Sequence, residues 1–134
     1  MRRVDVFFYG LFMDERMLRS KGVDPQDPRR AAVDGFSLRI GNRAALAPAS
    51  GGRAHGVVFS MVAAELAQLY SEPSLRAYEP YAVLARVEDG TLVPAICYNL
   101  PEPPAAGERN EDYAAQLRVV ARNAGLPEDY VAAL

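Results

Sequence analysis

The residues best suited to chemistry lie near the start of the chain, where an apolar, aromatic run stops abruptly at a glycine. Val6 to Tyr9 have the residue types of a buried strand. Gly10 allows the backbone to turn with positive φ or to approach a ligand closely, and Asp14 is placed to cap a following helix. Such a junction can direct several unpaired backbone N–H groups at a carboxylate or an oxyanion. The simpler alternative is a buried first strand that merely ends at a glycine.

Composition excludes several classes of function. The chain has 134 residues, with 15 Lys and Arg against 17 Asp and Glu, and this near balance argues against nucleic-acid binding, which needs a basic excess. No apolar run is long enough to span a membrane. Cys97 and His55 are the only residues of their types, so an internal disulfide is impossible and an N/S metal site is disfavoured. We expect no metal and no cofactor, and the single cysteine indicates a reducing cytoplasm.

Hydrophobic periodicity and turn residues predict one α+β domain over residues 1–134. The predicted strands are residues 3–9, 31–40, 42–47, 55–61, 81–88 and 93–98, with a loop at 24–28 and a turn at 49–52. The predicted helices are residues 14–21, 63–70 and 110–124. Short turns between successive strands favour antiparallel pairing. We therefore expect a mixed, mostly antiparallel curved sheet or small barrel that encloses a cavity, with the helices outside or at its rim and Gly10 at its mouth.

Three segments of the chain carry a resemblance to a known family. Residues 8–13, Phe-Tyr-Gly-Leu-Phe-Met, are similar to an opening Tyr-Gly-Ser/Thr-Leu-Met signature, and residues 125–130, Gly-Leu-Pro-Glu-Asp-Tyr, are similar to a Gly-Leu-Pro-x-x-Tyr ending. Between them, a strand from Gly56 leads into a helix to Leu69, an acidic residue, Tyr81 and a strand pair. In this order the segments resemble the gamma-glutamylcyclotransferase-like superfamily over nearly the whole chain.

The resemblance implies chemistry on γ-glutamyl amides. The substrate's own α-amine attacks its γ-carbonyl, closes a five-membered ring and releases 5-oxoproline and a free amine. Because the nucleophile lies within the substrate, the protein must fold the substrate, remove a proton from its ammonium and stabilise the oxyanion. One carboxylate and a few backbone N–H groups are sufficient for this, and the implied ligand is a small molecule with a γ-glutamyl or similar carboxylate group.

The resemblance also implies the site residues. The substrate-binding candidates are Tyr9, Gly10, Leu11, Phe12, Met13 and Tyr81. Leu11 stands where members carry Ser or Thr, so it can offer only its backbone N–H. Glu72 is the candidate general base, one residue earlier than the family pattern places it and followed by Pro73 in place of a glycine. Glu79 is the second candidate for that role.

Other functions remain open at this point. The main alternative is a non-catalytic or repurposed member that binds a small carboxylate or a partner in the same cavity, and a third is a different ring-closing or acyl–amine reaction at the same loop. A buried carboxylate facing the Gly10 loop favours catalysis, whereas a solvent-facing Glu72 favours binding. The sequence does not indicate the amine part of a substrate or the oligomeric state.

Overall fold

A computed structural model describes all residues from Met1 to Leu134. Its five strands are β1 (Arg3–Phe8), β2 (Gln26–Ile40), β3 (Ala44–Val62), β4 (Glu79–Val87) and β5 (Leu92–Asn99). Its four α-helices are α1 (Glu15–Ser20), α2 (Ala63–Leu69), α3 (Glu111–Asn123) and α4 (Glu128–Ala132), and single 3₁₀ turns occupy Leu11–Met13 and Pro73–Leu75. No helix has both the length and the apolar character needed to cross a membrane.

The strands form a closed barrel in the order β1-β3-β2-β4-β5. Four of the pairings are antiparallel, and the fifth, between β1 and β5, is parallel, with Val6 opposite Ile96. This confirms the predicted α+β class and the mixed, mostly antiparallel sheet. Closure matters for function, because the parallel pair brings the end of β1 next to the end of β5.

Two predictions about β2 and β3 were wrong. β3 is one strand of 19 residues, where a turn at 49–52 was expected to divide two strands, and β2 begins at Gln26 inside the predicted loop. The pairing of β2 with β3 shifts register between Asp34 and Phe36, and Gly35 and Gly51 both have positive φ there. The glycines therefore form an irregularity that bends a continuous hairpin rather than a turn that ends it.

The strands bury apolar side chains on both faces. Phe7 and Tyr9 lie in a cluster that fills the barrel, whereas Val6 and Phe8 belong to a second cluster with Leu117 of α3. This alternation follows from the period of two along a strand. This second cluster is the outer cluster, to which helices α1, α2 and α3 contribute Leu18, Leu66, Leu69, Leu117 and Ala121. The helices therefore pack on the outside of the barrel, as predicted.

Local capping sets the helix boundaries close to those predicted. The Asp14 carboxylate accepts a hydrogen bond from the Arg16 N–H at 2.9 Å, and the Asn110 side-chain oxygen accepts one from the Tyr113 N–H at 3.1 Å. Each cap satisfies a backbone donor that the first helical turn leaves unpaired. Asn110 also donates through Nδ2 to the Gly41 carbonyl, which fixes the start of α3 against the turn between β2 and β3.

Candidate active site

A cavity of about 310 Å³ opens where β1 ends and the 3₁₀ turn begins. Its wall includes Gly10, Leu11 and Phe12 of that junction, together with Glu72 from the segment after α2. Five of the chain's seven tyrosines also line it: Tyr9, Tyr70, Tyr78, Tyr98 and Tyr113. The volume lies at the lower end of the range of small-molecule sites, ~300–1,000 Å³. The cavity is therefore suited to a small, compact ligand.

Glycine at position 10 is explained by close approach and not by a positive φ. The backbone there is extended, with φ −112° and ψ −150°. A Cβ atom on Gly10 would lie 2.9 Å from the Tyr113 hydroxyl, which is shorter than any comfortable contact. The glycine therefore lets α3 bring the Tyr113 side chain against the end of β1 at the cavity wall.

Met13 does not join the junction residues at the cavity. Its N–H donates to the Gly10 carbonyl at 3.0 Å, closing the 3₁₀ turn, and its side chain is buried in the outer cluster. Its backbone donor is therefore already used. Of the junction residues predicted to bind substrate, the structure brings Tyr9, Gly10, Leu11 and Phe12 to the cavity.

Glu72 also lies on the cavity wall, although it is far from this junction in the sequence. Helix α2 ends at Leu69, and Glu72 adopts an extended conformation with φ −59° and ψ 134°, as the following Pro73 requires. The Glu72 carboxylate accepts hydrogen bonds from Lys21 Nζ at 3.1 Å and from the Ser74 hydroxyl at 3.2 Å. Its side chain is 40% exposed, so the carboxylate contacts both the cavity and solvent.

Glu79 and Tyr81 lie apart from this arrangement. Glu79 is the exposed first residue of β4, and the Tyr81 side chain is 43% exposed. Neither residue lines the cavity. The structure therefore brings together Glu72 and the Gly10 junction, and not the second candidate glutamate.

Aromatic rings form one side of the cavity. Tyr70 stacks on Tyr98 with ring centroids 3.8 Å apart and an interplanar angle of 4°, and Phe12 meets Tyr70 edge-on at 6.2 Å. Burial raises the pKa values of Tyr9 and Tyr70 well above the ordinary value and raises the pKa of Tyr78 to about 12. These phenols are neutral near pH 7, so they serve as hydrogen-bond donors and apolar walls rather than as bases.

Hydrogen bonds hold the tyrosines in place. The Tyr9 hydroxyl lies 3.0 Å from the Tyr98 carbonyl oxygen and 3.2 Å from Oδ1 of Asn99, so its single proton has two acceptors. The Tyr78 hydroxyl donates to the Ala44 carbonyl at 2.6 Å. These bonds connect the ends of β1, β3, β4 and β5 around the mouth of the cavity.

Sequence reasoning missed two basic residues of the site. Lys21 and Arg43 line the cavity, and neither belongs to a motif. One signal was present for Lys21, because it is the only lysine in the chain. Arg43 gave no such signal, since it is one of fourteen arginines and lies in the turn that joins β2 to β3.

Comparisons with known proteins add family and fold. The model of a family described as AIG2-like matches residues 53–134, which is more than half of the chain. No curated protein matches the chain in sequence.

Solved structures match over almost the full chain. A gamma-glutamyl cyclotransferase superposes with a TM-score of 0.81 and 18% identity, covering 97% of this chain and 85% of the other. YkqA from Bacillus subtilis gives 0.80 and 22%, covering 98% and 52%, so this chain spans about half of YkqA. A gamma-glutamyl cyclotransferase specific to glutathione from yeast gives 0.69 and 13%, covering 99% and 94%. At these identities the likeness shows a common fold.

Proposed function

The chain belongs to the AIG2-like family, and on this premise we propose that it is a cyclotransferase that converts a γ-glutamyl amine or amino acid to 5-oxoproline and a free amine. The observation that carries the proposal is that Glu72 and the Gly10 junction line the same cavity. A carboxylate that can accept a proton and backbone that can contact an oxyanion therefore meet in one small space. Solved structures of the same fold include two named as gamma-glutamyl cyclotransferases, which supports the substrate class.

The proposed reaction needs only groups on the cavity wall and the substrate itself. Glu72 takes a proton from the substrate's α-ammonium, and the freed amine nitrogen attacks the γ-carbonyl carbon. The carbonyl oxygen becomes an oxyanion, and the amide C–N bond then breaks as the leaving amine receives a proton. Glu72 returns this proton to the leaving nitrogen and passes it the second proton of the attacking nitrogen in the same way, so the amine leaves as an ammonium, the ring nitrogen keeps one hydrogen, no water is consumed and the carboxylate ends as it began.

The cavity wall supports the geometry that this reaction requires. Intramolecular attack is fast when the reacting atoms are held in a near-attack conformation, and the stacked Tyr70 and Tyr98 rings provide a rigid surface for that. The Leu11 side chain cannot donate a hydrogen bond, so stabilisation of the oxyanion falls to backbone N–H groups of the junction. The Leu11 N–H faces the Tyr113 hydroxyl, where it opposes the rise in pKa that burial causes, so the Gly10 and Phe12 N–H groups, which have no hydrogen-bond partner, are left for the oxyanion.

A second function is favoured by one observation. The Glu72 carboxylate is already paired with Lys21 Nζ at 3.1 Å, so Lys21 occupies the position that the substrate's ammonium would need. If the pair stays closed, the cavity would bind a small carboxylate or a partner without turning it over. The two functions differ in a single measurable product, 5-oxoproline.

The test compares Glu72→Gln with wild type, using γ-glutamyl-alanine as substrate and 5-oxoproline release as the readout. Loss of a positioned general base lowers the rate by ~10²–10⁴-fold. Glu79→Gln is the matched control, since Glu79 is exposed and outside the cavity, and it should keep wild-type activity.

Two outcomes would contradict the proposal in different ways. An active Glu72→Gln together with an inactive Glu79→Gln would transfer the base to Glu79. A wild-type protein that releases no 5-oxoproline from any γ-glutamyl amine would favour the binding function.

We also propose a cytoplasmic location, because Cys97 is a single buried thiol, and recovery of the protein in another cell fraction would contradict this.

A further inference from the structure

The only lysine of the chain lies beside the proposed base. Fourteen of the fifteen basic side chains are arginines, and the one lysine is Lys21, at the C-terminal end of α1. Its Nζ lies 3.1 Å from Oε1 and 3.5 Å from Oε2 of Glu72. Both residues line the cavity, although they are 51 positions apart in sequence. The barrel and its helices thus place a cation and an anion side by side at one point of the cavity wall.

This ion pair is well placed to open when a ligand enters. The side chains of Lys21 and Glu72 are 38% and 40% exposed, and ion pairs that face solvent contribute little to stability. An α-amino acid group carries the complementary pattern, with an ammonium and a carboxylate on the same carbon. If Glu72 takes the ammonium, the carboxylate must lie within a few ångströms of Glu72, which is where Lys21 Nζ lies.

We propose that Lys21 is a specificity-determining residue, which binds the α-carboxylate of the glutamyl group while Glu72 takes the α-ammonium. This rests on the proposed function and narrows its substrates to γ-glutamyl amides whose α-carboxylate is free. Glutamyl groups with an α-amide or α-ester are rejected, including glutamine-like residues inside a polypeptide. A lysine suits this role, since its compact ammonium has three rotatable donors and can contact Glu72 and a carboxylate at once.

Arg43 is the competing cation. It also lines the cavity, and no acidic side chain forms an ion pair with it. Arg43 lies in the turn between β2 and β3 near Tyr78, where burial raises the pKa of the hydroxyl and the charge of Arg43 partly opposes that rise. Glu72, however, is paired with Lys21 and not with Arg43. Replacing each cation in turn therefore distinguishes the two.

The first experiment measures substrate discrimination. Wild type, Lys21→Met, Lys21→Arg and Arg43→Met are assayed with γ-glutamyl-alanine and with the same compound carrying a glutamyl α-carboxamide. Loss of a hydrogen bond to a charged group lowers kcat/KM by ~10- to 100-fold. We expect wild type to prefer the free acid by this factor in kcat/KM, Lys21→Met to lose the preference, and Lys21→Arg and Arg43→Met to keep most of it.

The second experiment uses the wild-type chain and does not depend on turnover. Because Lys21 is the only lysine, expression with ε-¹³C-lysine labels that side chain alone and leaves its three N–H donors intact. Addition of 5-oxoproline should shift the Lys21 Cε resonance, and 5-oxoprolinamide should shift it far less. Circular dichroism checks that each variant is folded.

Failure of this inference can be distinguished from failure of the proposed function. A wild type that turns over both substrates equally, or an Arg43→Met variant that alone loses the preference, overturns the role of Lys21 and leaves the cyclotransferase in place. A Lys21 resonance that does not move at saturating 5-oxoproline has the same meaning. A wild type with no turnover and no binding overturns both.

Discussion

Gly10 and Tyr113 provide a direct test of how the cavity wall is built. In Gly10→Ala, the new methyl group would lie 2.9 Å from the Tyr113 hydroxyl, and overpacking of this kind costs ~1–3 kcal/mol. Alanine also restricts the unfolded chain, which returns ~0.4–1 kcal/mol because the extended backbone at residue 10 accepts a Cβ. The net loss of stability should therefore be about 1–2 kcal/mol.

Removing the hydroxyl should remove most of this penalty. Tyr113→Phe alone loses one polar contact, at ~0.5–1.5 kcal/mol, and leaves the space that the Gly10→Ala methyl group needs. In the Tyr113→Phe background, Gly10→Ala should be neutral or slightly stabilising. The double variant should thus be more stable than the sum of the single changes predicts, by about 1–2 kcal/mol.

Urea denaturation followed by tyrosine fluorescence measures all four proteins, since the chain has no tryptophan. Gly107→Ala is the control, because a Cβ there meets no atom within 4 Å, and it should not couple to Tyr113→Phe. Effects of Gly10→Ala and Tyr113→Phe that add within ~0.5 kcal/mol would refute the close approach. Rates of 5-oxoproline release from the same four proteins show whether the contact also positions the junction.

Two further predictions concern titratable groups outside the proposed mechanism. Burial raises the pKa of the Cys97 thiol to about 12. Ellman's reagent at pH 8 should therefore label Cys97 only after the protein is unfolded. Rapid labelling of the native protein would contradict the burial of this thiol. Burial, aided by Arg53, lowers the pKa of His55 from 6.5; just below pH 6.5 the unfolded chain then binds a proton that the native chain does not. Stability should therefore fall as the pH falls through that range. Urea midpoints measured against pH should show a flatter dependence in His55→Gln than in wild type. An equal dependence of the midpoint on pH in the two proteins would count against this.

Local sequence signals predicted the parts of the fold that depend on neighbouring residues. The aromatic run before Gly10 and the cap at Asp14 both specify backbone geometry within a few positions. The division of β3 at residues 49–52 failed for the opposite reason. Whether a glycine ends a strand or bends it depends on the partner strand, here on Gly35 across the hairpin.

The candidate site could be predicted only in part, because some of its residues come together through contacts between distant parts of the chain. Tyr9 to Phe12 and Glu72 carried motif signals, but Lys21, Arg43 and the stacked tyrosines reach the cavity through closure of the barrel and packing of α1. The resemblance implied that Tyr81 binds substrate, and along β4 Tyr81 shares a face with the buried Ala85. Tyr81 lies near the open end of β4, however, where it is 43% exposed, and periodicity carries no information about where along a strand the interior ends.

The cavity combines a fixed wall with a charged edge that can rearrange. Asn99 bridges β5 to β3 through two 2.9 Å hydrogen bonds with the Leu46 backbone, and its Oδ1 also faces the Tyr9 hydroxyl. The Lys21–Glu72 pair faces solvent, and its one further hydrogen bond is the one that the neighbouring Ser74 hydroxyl donates to Glu72. Ring closure requires a substrate held rigidly in one conformation, and it also requires a carboxylate that can exchange one cation for another. The tyrosine wall meets the first requirement and the exposed ion pair the second, so the two properties that the proposed reaction needs reside in separate parts of one small cavity.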